Sequence, residues 1–95
     1  MQKITWTYEA LRDFEDYIDW YLKEANESTA SRLIEAVEQA LESIKANNYI
    51  ARMVDEIPEL REYVIQQFPF LISYWIKDSN EIVITSFLHQ KRKTR

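Results

Sequence analysis

The chain has 95 residues and not one glycine. Average usage would supply about six or seven in a chain of this length. Every turn must therefore be closed by residues that carry a Cβ, for which left-handed backbone costs energy. Phosphate cradles that need glycine for close backbone approach, the Rossmann fingerprint and the P-loop, are excluded by the same fact. Cysteine is also absent, so there is no disulfide, no thiolate zinc site and no cysteine nucleophile. What remains to hold the chain together is burial, and 13 aromatic residues within a 46% hydrophobic composition provide large units for it. One folded domain over residues 1–95 is expected, with no metal or cofactor implied. The longest apolar run, Phe68 to Ile76, is interrupted by Pro69 and Ser73 and falls well short of the ~20 residues that span a bilayer. Met1 leads into polar and aromatic alternation with no signal-peptide pattern. A cytoplasmic protein with no membrane partner is the expectation.

The net charge of −4 is unevenly spread. Residues 1–88 hold eight Lys/Arg against all 16 Asp/Glu, and the remaining cations, Lys91, Arg92, Lys93 and Arg95, follow His89 at the end of the chain. A basic tail on an acidic body could meet phosphate or an acidic partner with salt-sensitive attraction, or simply remain solvated.

Periodicity divides the chain into six elements. Ile4 and Trp6 alternate with polar neighbours, as in a short half-buried strand. Thr7 is placed to cap a helix from Tyr8 to about Ala25, whose apolar set Leu11, Phe14, Tyr17 or Ile18 and Tyr21 or Leu22 recurs at spacings of three and four. Its other face is acidic: Asp13, Glu15, Asp16 and Asp19. After a break at Asn26-Glu27-Ser28, the residues Ala30, Leu33, Val37, Ala40 or Leu41 and Ile44 repeat the period to about Ala46, so the two helices form an antiparallel hairpin. Asn47-Asn48 ends the second helix with residues that tolerate left-handed backbone. Tyr49 to Pro58 reads as an irregular, packed connection. Leu60–Gln66, Phe70–Lys77 and Glu81–His89 read as strands, the last two joined by the polar turn Asp78-Ser79-Asn80, with Pro69 at a strand start, edge or bulge. The fold class is α+β: an N-terminal strand, then an antiparallel helical hairpin packed on one face of a small, mainly antiparallel sheet, in the order β-α-α-β-β-β.

In the strand from Phe70, alternate residues Phe70, Ile72, Tyr74 and Ile76 share one side and Leu71, Ser73 and Trp75 the other, and neither set is strongly polar. Two helices roof one side; the other is expected to receive a partner or to be covered by the 47–58 loop or the tail. Tyr63, Leu71, Trp75 and Phe87, with Lys91, Arg92, Lys93 and Arg95, are the candidate partner contacts. His89 is the sole histidine, which excludes multi-histidine metal sites but leaves a single acid or base. Arg61 could hold a phosphate through its planar fork or pair with an acid such as Glu62 or Glu81.

Three segments together resemble the RelE/ParE superfamily of bacterial toxins from type II toxin-antitoxin modules. They are Glu59-Leu60-Arg61, then Phe68-Pro69-Phe70-Leu71-Ile72-Ser73-Tyr74, then Ile82-Val83-Ile84 leading to Leu88-His89-Gln90-Lys91-Arg92. The resemblance implies a toxin neutralised by a cognate antitoxin. It also implies one of two targets: DNA gyrase, bound without chemistry, in the ParE branch, or ribosome-associated mRNA, cleaved, in the RelE branch. Were the chain a nuclease, Arg61, His89 and Arg92 match positions where such members carry catalytic groups. The Phe-Pro-Phe strand, the lack of a dense basic strand face and Gln90 in place of a tyrosine favour the ParE-like, plasmid-stabilisation branch. A toxin-fold protein that has lost toxicity and survives as a binding module is the third possibility.

Overall fold

The computed structural model describes residues 2–92. Its elements are β1 (Lys3–Trp6), α1 (Tyr8–Glu24), α2 (Glu27–Ala46), β2 (Arg52–Val54), β3 (Ile57–Val64), β4 (Phe70–Asp78) and β5 (Glu81–His89), followed by one 3-10 turn at Gln90–Arg92. The strands form one mixed sheet in the order β1-β5-β4-β3-β2. Three antiparallel pairings follow chain order, while β1 lies parallel to β5, with Ile4 opposite Ile82 and Trp6 opposite Ile84. The helical hairpin thus separates the two edges of the chain's own sheet, and β1 closes the side that β5 would otherwise expose.

Both helix starts are capped by side chains. Thr7 Oγ1 accepts from the Ala10 amide at 3.2 Å, and Asn26 Oδ1 accepts from the Thr29 amide at 2.8 Å, each satisfying one of the orphan N–H groups of a first turn. The second cap moves the start of α2 forward to Glu27, so the break between helices is only Ala25-Asn26, shorter than the sequence predicts. Their apolar stripes meet one face of the sheet: Ala10, Leu33, Val37, Ala40 and Ile44 join Ile65, Phe70, Ile72, Tyr74, Ile82, Ile84 and Phe87 in one core. Truncating one such leucine or isoleucine to alanine typically costs ~2–5 kcal/mol, a large share of a small domain's stability.

Three expectations are corrected. Residues 52–54, read as irregular, form edge strand β2, and β3 begins at Ile57, three residues early. Arg52 and Met53 pair with Glu62 and Arg61, and the register then shifts so that Val54 pairs with Ile57, a bulge that short windows of sequence do not reveal. The end of α2 uses no left-handed residue: Asn47 is extended at φ −149, and Asn48 turns its side-chain amide back to the Ile44 carbonyl at 2.8 Å. The left-handed position among the described residues is Gln67, φ 70, in the turn before β4.

The third correction concerns face assignment. Ser73 lies opposite Ser86 but Tyr74 opposite Ile84, so Thr85 is an extra residue in β5. Its hydroxyl donates to the Ser73 carbonyl at 3.2 Å. A one-residue slip exchanges faces. Ile82, Ile84 and Phe87 therefore all point to the helices, although 84 and 87 would oppose each other in unbroken alternation.

Candidate partner-binding groove

The sheet register places each candidate residue. On the side away from the helices, Leu71 faces Leu88 and Val64, Ser73 faces Ser86 and Glu62, and Trp75 faces Val83. This face is not bare. Leu71, Ser73 and Glu62 are buried, Trp75 and Val83 half-buried, and Val64 exposed. Ser73 is flanked along its strand by Leu71 and Trp75, and its hydroxyl finds no partner among the described atoms. The Glu62 carboxylate is compensated by Arg52, which reaches across from β2 at 3.0 Å. Of the candidate partner contacts, Leu71 and Trp75 lie here. Tyr63 and Phe87 lie on the helix-covered face, Tyr63 half-buried beside the core and Phe87 1% exposed beneath α1.

Arg61 and His89 are not brought together. Arg61 is opposite Tyr74 and His89 opposite Phe70, four residues apart along β4 and two strands apart across the sheet. Sheet spacings put their Cα atoms about 16 Å apart. Each is also engaged. The Arg61 guanidinium donates to the Ala51 carbonyl at 2.8 Å and lies 4.9 Å over the Tyr49 ring, fastening the loop before β2. The half-buried His89 ring stands edge-on to Phe70 at 5.4 Å, and its Nδ1 accepts from the Lys91 amide at 3.1 Å, which leaves Nε2 to carry the proton of the neutral ring. Arg92 closes the final turn in backbone, and Lys93 and Arg95 lie outside the described residues.

His89 and Lys91 instead border a groove of about 710 Å³ between α1 and the end of β5. Its floor is aromatic. Tyr17 packs edge-on to Phe70 at 4.6 Å, Phe70 stacks on Phe87 at 5.0 Å, and Tyr21 closes one end. Trp20, 55% exposed, stands beside Tyr21 at 5.1 Å. Burial pushes the Tyr21 phenol above its ordinary pKa, with a further push from Tyr17. Asp13 and Asp16 form the helix rim. The same two residues join a second, smaller depression lined by Glu9, Arg12, Thr85 and Ser86. No ion pair involves Asp13, Asp16, Arg12 or Lys91 among the described residues.

By sequence alone Asp13 and Asp16 belong to the acidic face of the first helix, and Trp20 falls in neither of its two sets. A signal was present: positions 13, 16, 17, 20 and 21 recur at spacings of three and four, a second stripe alongside the apolar one that mixes carboxylates with aromatics. Such a stripe fits neither pure core nor pure surface. No cluster of three or more potential metal-ligating side chains occurs among the described residues, and none of their helices is long and apolar enough to cross a membrane.

The sequence model described as ParE toxin of type II toxin-antitoxin system, parDE, matches residues 4–94. Among solved structures, the chain is similar to one from the chromosomal ParDE TA system of P. aeruginosa, with a TM-score of 0.71 at 22% identity over 94% of this chain and 96% of that one. It is also similar to the YoeB dimer of Staphylococcus aureus, with a TM-score of 0.63 at 16% identity over 90% of this chain and 92% of that one. At these identities the structural likeness is one of fold. A search of curated proteins yields no match.

Proposed function

Because the chain belongs to the ParE toxin family of type II toxin-antitoxin systems, we propose that it is held inactive by a cognate antitoxin and, once released, acts by binding DNA gyrase. The reading places both encounters in the cytoplasm and entails growth arrest on release. The observation that carries binding over cleavage is the separation of Arg61 from His89. Cleavage of RNA by its own 2′-hydroxyl requires a base, an acid and a cation converging on one phosphate, within hydrogen-bond reach of its atoms. Here the Cα atoms of the two candidate residues are about 16 Å apart by sheet spacing. Arg61 is committed to Ala51 and Tyr49, and His89 to the Lys91 amide.

The test is a supercoiling assay with purified gyrase, run beside a ribosome-programmed mRNA cleavage assay. Inhibited supercoiling with intact message is the expected result, and His89→Ala should leave that inhibition within about twofold, since a rim histidine supplies no chemistry in this reading. Cut message, unaffected gyrase and a loss of cleavage of about 100-fold in His89→Ala would instead establish a ribosome-dependent mRNA interferase. Expression without any antitoxin and without growth arrest would leave a toxin-fold binding protein.

A further inference from the structure

We propose that β2 is the contact edge of a symmetric dimer, in which two copies of this chain pair their β2 strands antiparallel across a two-fold axis. The inference concerns this chain alone and does not depend on which target it acts on.

Three observations select this edge and this occupant. First, β2 ends the sheet order, so its side away from β3 has no strand beside it among the described residues. Around it stand Tyr49, Ile50, Met53 and Ile57, between 42% and 68% exposed. An edge strand in apolar surroundings is a template for another strand. This surface is also held in place, because Arg61 fastens the loop before β2 through the Ala51 carbonyl and the Tyr49 ring, so less order has to be imposed on association. Second, the charge order of Arg52-Met53-Val54-Asp55-Glu56 complements itself when reversed. An axis through Val54 sets Arg52 opposite Glu56 of the second copy, and an axis between Met53 and Val54 sets it opposite Asp55 of the second copy. A parallel pairing would instead set Arg52 beside Arg52 and acid beside acid, which is repulsive. The groups are available: the Arg52 side chain stays 69% exposed while it reaches Glu62, and Asp55 and Glu56 are exposed with no ion pair among the described residues. A guanidinium has five N–H donors, enough for both carboxylates. A second copy carries the reversed order by necessity, whereas any other partner would have to match it. Third, the assembly stops at two. The shift after Met53 and the turn at Asp55-Glu56 end β2 after three residues, so the pairing is short and isologous, a contact that closes on itself. The opposite edge, β1, holds Lys3 and no acid between Lys3 and Trp6, so it offers no such self-pairing through which a filament would grow.

Sedimentation of the purified full chain from about 1 μM to about 1 mM is the measurement, the range in which small interfaces form. A monomer–dimer equilibrium is expected, with the amides of residues 52–54 gaining protection from exchange as concentration rises. Asp55→Lys with Glu56→Lys sets like charges opposite each other twice, once in each half of the interface, and should raise the dissociation constant about tenfold or more. Arg52→Glu should do the same. An equimolar mixture of the two variants should return to the wild-type constant within about threefold, because each half of the mixed interface again joins opposite charges. Asp55 and Glu56 are exposed turn residues, so their reversal leaves the fold intact, which circular dichroism checks; Glu38→Lys on α2 is the matched control and should leave the dimer unchanged. Arg52→Glu removes the partner of Glu62; if that variant does not fold, Met53→Lys takes its place, setting a cation at the centre of the edge, and should abolish the dimer. A chain that is monomeric throughout, a dimer indifferent to these changes, a mixture that fails to recover, or protection confined to residues away from β2 would overturn the proposal.

Discussion

A single backbone dihedral records what a chain without glycine must accept. Gln67 holds φ 70 in the turn that ends with the Ile65 amide donating to the Phe70 carbonyl at 2.9 Å. Left-handed backbone costs a residue with a Cβ about 1 kcal/mol or more, and the greater freedom of glycine in the unfolded chain offsets part of that. Gln67→Gly should accordingly raise stability by roughly 0.5 kcal/mol, read as a higher urea midpoint at unchanged slope. Nothing in Gln66-Gln67 announced this; Asn47-Asn48, the better left-handed formers, are used differently because Asn48 reaches the Ile44 carbonyl and exchanges two hydrogen bonds with Gln2. Arg61 teaches the same lesson for function. Residue type alone admits a phosphate ligand, and only the fold reveals the Ala51 carbonyl and Tyr49 ring that occupy it.

Among the elements, β1 is the one whose attachment is electrostatically conditional. It is four residues long and pairs only with β5. Near its start the Lys3 amide donates to the Asn80 carbonyl at 2.8 Å, and the Thr5 hydroxyl donates to the Glu81 carboxylate at 2.7 Å. That hydrogen bond, helped by Lys77 and Lys3, holds the Glu81 carboxyl below its ordinary value of 4.5. A lowered acid pKa contributes stability above the unfolded value and loses it as pH falls through the folded one. Acidification below about pH 4.5 should therefore loosen β1 selectively, seen as faster exchange of its amides relative to those of β4, and Thr5→Val should reduce the difference. The helices carry their own instructions: their caps and stripes are local in sequence and were legible to within a few residues. Strand β2 was not, because three residues paired across a bulge have no period of their own.

At the scale of the whole molecule, one buried phenol joins the sheet to the connection that leads into it. Tyr74 is fully buried in β4, and its hydroxyl donates to the Asn48 carbonyl at 2.7 Å. Burial raises its pKa above 10.0, against the smaller downward pulls of the Ala51 backbone and the Arg61 charge. A raised acid pKa means that stability is intact below the unfolded value and declines as pH climbs through the folded one, so alkaline unfolding should begin near pH 10. Tyr74→Phe should cost about 1 kcal/mol at neutral pH and flatten the alkaline limb, leaving the contribution of Tyr21. Urea titrations of both proteins across that range provide the measurement.

Local chemistry determined what could be read one segment at a time. Capping by Thr7, the two apolar stripes, the strand-like C-terminal half and the three segments shared with a toxin superfamily all depend on neighbours within a few residues. Long-range packing decided the rest. The Thr85 bulge reverses which side chains of β5 meet the helices, the register carries Arg61 and His89 apart, and α1 lies against the end of β5 so that Asp13, Asp16 and Trp20 frame a groove with residues some 70 positions further along the chain. Side-chain direction in a strand depends on the parity of every residue between, so one inserted position is invisible to composition and decisive for surface chemistry.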